Sequence, residues 1–110
     1  MNLLVIFAAL SGAIAVGAGA FGAHAAEGQA REWLQTGGQY QLIHAVAALI
    51  AARMGANGAG WAFMLGSAIF AGTLYVMALG GPRWLGAVTP LGGTALIVGW
   101  LLLVWNGWRG

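Results

Sequence analysis

Both histidines of the chain, His24 and His44, and both of its carboxylates, Glu27 and Glu32, fall in one stretch, GAGAFGAHAAEGQAREWLQTGGQYQLIH (17–44). Within it Tyr40, Gln41 and His44 share a helical face, since residues three and four apart are neighbours on a helix. Two imidazoles and a carboxylate suit a divalent zinc, copper, iron or nickel ion. The spacing offers neither H-x-x-x-H nor E-x-x-H, however, so no metal and no cofactor is assigned. The expectation is that His24, Glu27, Tyr40, Gln41 and His44 converge between the first two helices. Two readings of that cluster stay open. One is a hydrogen-bond network that locks the helices together. The other is a pocket for a lipid, quinone or other small molecule, because ionisable groups inside a membrane mark functional sites by default.

Little other chemistry is available. With 0 cysteines there is no thiolate nucleophile, disulfide or Cys-based metal site. With no aspartate there is no Ser-His-Asp set, and Glu27 and Glu32 lie too close along one segment to face each other across a substrate. No catalytic residue is assigned. A second motif is Thr89-Pro90-Leu91-Gly92-Gly93, in which Thr89 reads as an N-cap and Pro90 as the first helical residue. The positive end of such a helix holds anionic groups in some transporters, or it is simply a capped start near the interface. Trp33, Trp61, Trp84, Trp105 and Trp108 all fall near expected helix ends, as an interfacial belt requires. Trp100 alone lies well inside a helix.

These residues sit in a chain whose solvent must be lipid. Of its 110 residues 61% are hydrophobic and 5% charged, against roughly 25% charged in a soluble domain. A net charge of +2 gives no basic patch for nucleic acid. The expected architecture is an all-α membrane protein. Residues 1–110 form a single domain, an up-and-down bundle of four transmembrane helices near 3–24, 39–54, 60–79 and 89–106. The first helix is expected to be retained rather than cleaved as a signal peptide, because no Lys or Arg precedes it and the apolar run is long. Between helices one and two, AAEGQAREWLQTGG (25–38) reads as a short amphipathic helix in the interface. Trp33 would anchor it, Glu27 and Arg31 would form its ion pair, and Gly37-Gly38 would end it.

Ser11, Ala15, Gly19 and Ala23 put a small residue at every fourth position of the first helix. Such stripes let two helix backbones approach closely in lipid, so this one is expected to be a packing face.

The motifs GAIAVGAGAFGAH (12–24), TGGQYQLIH (36–44), GWAFMLGSAIFAGTLY (60–75) and LGAVTPLGGTALIVGW (85–100) cover most of the chain. In them the sequence resembles the domain of unknown function 423 family, the transmembrane protein 256-like small integral membrane proteins. Ala25 departs from the Gly usual there, and Ala71 with Thr73 replaces a segment that often reads SGS, which removes one hydroxyl. The resemblance implies a four-helix integral membrane protein and no reaction, ligand or catalytic residue. The expected function is therefore a structural or accessory subunit of a membrane assembly. The alternative is a binder of a lipid, quinone or other small molecule at the His24/Tyr40/His44 cluster. Expected partners are membrane lipids and either further copies of the chain or other membrane subunits. The expected location is the bacterial inner (plasma) membrane, multi-pass, with both termini on one side.

Overall fold

The computed structural model describes residues 1–110. Its four helices are α1 (Leu3–Ala25), α2 (Gly28–Arg53), α3 (Asn57–Ala78) and α4 (Thr89–Arg109), with a short 3-10 turn at Arg83–Ala87 leading into α4. Three segments, Leu3–Ala25, Asn57–Ala78 and Arg83–Arg109, are long and apolar enough to cross a membrane.

Local chemistry explains the ends. Asn2 caps α1, its side-chain oxygen accepting from the Val5 amide at 3.1 Å. The ends of α2 and α3 share another device. Gly55 (φ 73°) and Gly80 (φ 98°) take the left-handed conformation that suits glycine. The following amides then reach back, Ala56 to the Ala51 carbonyl at 2.8 Å and Gly81 to that of Val76 at 2.8 Å. Each helix thus reverses within a few residues, and successive helices run antiparallel. Gly22 faces Leu34, Gly38 faces Ala15 and Gly19, and Gly12 faces Ala45, so contacts rise along α2 as they fall along α1.

The expected break at Gly37-Gly38 is absent. The segment assigned to a separate interfacial helix is the first half of α2, which runs unbroken for 26 residues. Both glycines face neighbours. A Cβ at Gly38 would stand 3.0 Å from the Ala15 carbonyl oxygen and 3.2 Å from the Gly19 amide nitrogen. One at Gly37 would stand 2.7 Å from the Tyr75 ring. The pair makes room for α1 on one side and α3 on the other, and inside a packed helix that outweighs glycine's cost of about 1 kcal/mol relative to alanine.

The packed pairs are α1–α2, α2–α3 and α3–α4, with a smaller contact of α1 on α3. The helices therefore fold back and forth, with α2 and α3 as the central pair. The apolar core gathers Leu4, Ala8, Ala48, Ala51, Phe63 and Leu96 toward the end that holds the α2–α3 connection. Alanines dominate it, so these helices lie close together. A second close approach joins α3 to α4. A Cβ at Gly66 would stand 2.9 Å from the Gly92 carbonyl oxygen, and one at Gly92 would collide with the backbone of Phe70.

Candidate functional site

Three hydrogen-bonded groups of polar side chains join one helix to another. In the first, Gln41 is buried on α2. Its amide nitrogen donates to Ser11 Oγ on α1 at 3.0 Å, and its amide oxygen accepts from the Tyr75 hydroxyl on α3 at 2.6 Å. One side chain thereby ties three helices.

The second group is centred on His44, 6% exposed. Its Nδ1 lies 2.7 Å from the Tyr40 carbonyl oxygen, and its Nε2 lies 3.0 Å from Trp100 Nε1 on α4. An indole N–H only donates and a carbonyl only accepts. These two bonds therefore require a neutral imidazole with its proton on Nδ1. Both ring nitrogens are then occupied, and no lone pair is left for a metal. Phe63 packs on the His44 ring at 5.5 Å and on Trp100 at 4.9 Å between ring centres.

The third group pairs Thr73 of α3 with Thr89 of α4, hydroxyl to hydroxyl at 2.6 Å. Carbonyls of their own helical turns lie within reach as well, Phe70 at 3.0 Å from Thr73 and Leu85 at 3.2 Å from Thr89. Whichever hydroxyl donates across the gap, the other donates to its own carbonyl, so both are satisfied. Throughout the chain no buried side-chain nitrogen or oxygen lacks a partner.

The expected convergence of His24 and Glu27 with His44 does not occur. His24 is exposed in the last turn of α1, and Glu27 is the N-cap of α2 without a side-chain cap bond. Because α2 is continuous, the rise from Gly28 to His44 alone is roughly 24 Å. Tyr40 is 44% exposed and meets His44 through its carbonyl and through ring contact at 6.2 Å, with Phe70 at 4.8 Å on its other side. The polar contact at the start of α2 is Gln29 donating to Glu32 at 3.2 Å.

Thr89 does not cap its helix. Val88 holds the N-cap position with no side-chain cap bond. The 3-10 turn feeds straight into α4, and Thr89 bonds backward to Leu85 and sideways to Thr73. Pro90 lies on the surface, Gly92 is the close-approach residue, and Gly93 has only ordinary contact with Phe70 at 3.9 Å. In the first-helix stripe, Ser11 meets Gln41 and Ala15 is buried with its carbonyl against Gly38. The Gly19 backbone also lies against Gly38, and Ala23 is half-buried.

Sequence reasoning did not single out Tyr75, Thr73 or Phe63 as partners of these groups. Trp100 carried a signal, being the one tryptophan far from any helix end. Tyr75 carried none, because nothing local links it to Gln41 across two helices.

Comparison with known families matches residues 18–93 to the family described as "Protein of unknown function (DUF423)". Among curated relatives, the UPF0382 membrane protein YwdK of Bacillus subtilis is 40% identical, covering 94% of this chain and 94% of the relative. A UPF0382 membrane protein of Staphylococcus epidermidis is 39% identical over 94% of this chain and 93% of its own. The UPF0382 inner membrane protein YgdD of Escherichia coli is 38% identical over 94% of this chain and 87% of its own. No solved structure matches.

Proposed function

The chain belongs to the DUF423 family of small membrane proteins, and from that premise we propose that it spans the membrane four times as an accessory subunit of a larger membrane assembly. It is an integral membrane protein, and its relatives include one named for the inner membrane. The fourth span in this reading is α2. It is the least apolar helix, yet it packs antiparallel between α1 and α3, two helices apolar enough to cross. A helix held between two spanning neighbours spans with them. Its 26 residues extend about 39 Å against roughly 30 Å of hydrocarbon, which leaves its charged first turns among the headgroups.

The observation that carries the accessory role is a polar strip left uncovered on α2. Gln29, Glu32, Gln35, Thr36 and Gln39 line one shallow surface, and Thr36 and Gln39 are exposed. Gly38 lies against Ala15 and Gly19 and Leu34 against Gly22, so Thr36 and Gln39 stand at the depth of α1's apolar middle and second half. An amide facing hydrocarbon there leaves its hydrogen-bonding groups unsatisfied, at a cost of several kcal/mol. A partner helix offering polar groups removes that cost. The bonded interior supports the same role, because Gln41, His44 and the Thr73–Thr89 pair spend their main hydrogen-bonding capacity on holding the four helices together.

The test is native mass spectrometry of the full-length protein extracted gently from its own membrane. Thr36→Val with Gln39→Leu should release a bound partner or a second copy while the chain itself stays folded. If the doubly substituted protein carries the same company as the original and is more heat-stable, the strip faces lipid and the reading is wrong.

A further inference from the structure

We infer that the cleft between α1 and α3 is a binding site for an apolar molecule that carries a carbonyl oxygen. Because α1 packs mainly on α2, it leaves a gap beside α3 of about 680 Å³, within the range of small-molecule sites. Leu10 and Ile14 form one wall and Met64 and Leu65 the other. Phe7 and Trp61 close one end with an edge-to-face contact at 5.9 Å. The floor differs in kind from the walls, being Ser11 and Gln41.

At that floor the groups left with no partner at all are hydrogens, because the Ser11 and Gln41 side-chain oxygens each already accept one bond. Gln41 gives one amide hydrogen to Ser11 and uses its oxygen to accept from Tyr75. An amide has two hydrogens and a hydroxyl one. The bonds within the chain leave the second amide hydrogen of Gln41 and the hydroxyl hydrogen of Ser11. Both are donors, so the floor asks for an acceptor. Anions are ill suited, because no cationic side chain lines the cleft. A neutral carbonyl on an apolar body fits both the floor and the walls.

Depth narrows the choice. Ser11 lies roughly 12 Å along α1 from Leu3, close to the middle of a hydrocarbon layer about 30 Å thick. Ester carbonyls of bilayer lipids sit at the edge of that layer. A molecule dissolved within it, such as a quinone with an apolar tail, delivers its carbonyl at the right level. The site rests on α1 and α3 crossing the membrane and is independent of the partner proposed for α2.

The experiment uses the full-length chain in lipid nanodiscs and measures saturable binding of three probes. These are decyl-benzoquinone, methyl laurate and decylbenzene, which lacks an acceptor. Decyl-benzoquinone should bind about tenfold more tightly than decylbenzene, the worth of one to two hydrogen bonds out of water. Ser11→Ala removes one of the two donors and should cut that difference to about threefold while the protein stays folded, and Ala68→Leu, which fills the cleft from its rim, should weaken all binding. If methyl laurate matches the quinone, the carbonyl comes from an ester. If the quinone alone is tight, the site selects quinones. Equal affinity for quinone and decylbenzene overturns the inference, as does Ser11→Ala without effect. A dimer that Ala68→Leu dissociates also overturns it, because a second copy then fills the cleft.

Discussion

Trp100 donates its indole hydrogen to His44 Nε2 across 3.0 Å, joining α4 to α2, two helices that otherwise barely touch. α4 packs mainly on α3, so this bond and the tilted contacts of Phe63 with both rings fix how α4 swings about α3. Trp100→Phe keeps most of the ring surface and removes the donor, leaving Nε2 without its partner. The expected cost is about 1 kcal/mol, since side-chain hydrogen bonds in membrane proteins average about 0.6 and reach about 1.7 kcal/mol. His44→Ala should cost more, because Tyr40, Phe63 and Trp100 all lose a neighbour. A double-mutant cycle followed by detergent unfolding gives the coupling between the two residues, and a coupling of zero removes the bond from the account.

Gly38 and Gly19 should answer alanine in opposite ways. At Gly38 the new Cβ meets the Ala15 carbonyl at 3.0 Å, and backbone cannot move aside as a flexible side chain can. At Gly19 it meets nothing within 4 Å. Gly38→Ala should lower stability by about 1–3 kcal/mol through overpacking. Gly19→Ala should be neutral or gain up to about 1 kcal/mol of helix propensity. Thermal melts of the two variants in one detergent decide the point, and equal melting would mean that α1 and α2 do not approach as described.

The neighbouring glycines of the last helix make a parallel pair. Gly92→Ala forces a Cβ into the Phe70 backbone, whereas Gly93→Ala has ordinary contact at 3.9 Å. The first should pry α4 from α3 and lower the melting temperature, and the second should leave it within a degree or two. A protease susceptibility assay on the segment 79–88 should report the same order.

These glycines also show how far the sequence could be read. α1, α3 and α4 were legible because uncharged apolar runs bounded by Gly, Pro or Arg have few other uses. Gly37-Gly38 was not, because a glycine pair serves equally as a helix end or as a notch for a neighbour. Only the presence of Ala15 on one side and Tyr75 on the other decides between them. That misreading displaced the site. With α2 starting at 39, His24 and His44 would be neighbours, whereas a continuous α2 separates them by most of a membrane thickness. The small-residue stripe pointed to the surface that meets α2, but it did not reveal that Gly38 is the residue without room. Thr89 had the chemistry of an N-cap and lost that role to a 3-10 turn whose geometry no local motif announces.

The depth of Gln41, His44 and the polar strip is set by α2 crossing the membrane. Asn2 and Asn57 line one hollow at one end of the protein, and Arg83 lies over the Trp33 ring at 5.8 Å near the other. Single cysteines replacing Asn2, Gln29, Asn57 and Arg83 in the full-length protein, exposed to a membrane-impermeant maleimide from each side in turn, read the topology directly. The expected result is that positions 2 and 57 label from one side and 29 and 83 from the other. Labelling of Gln29 from the same side as Asn57 would contradict a spanning α2 and with it the depth of Gln41, His44 and the polar strip.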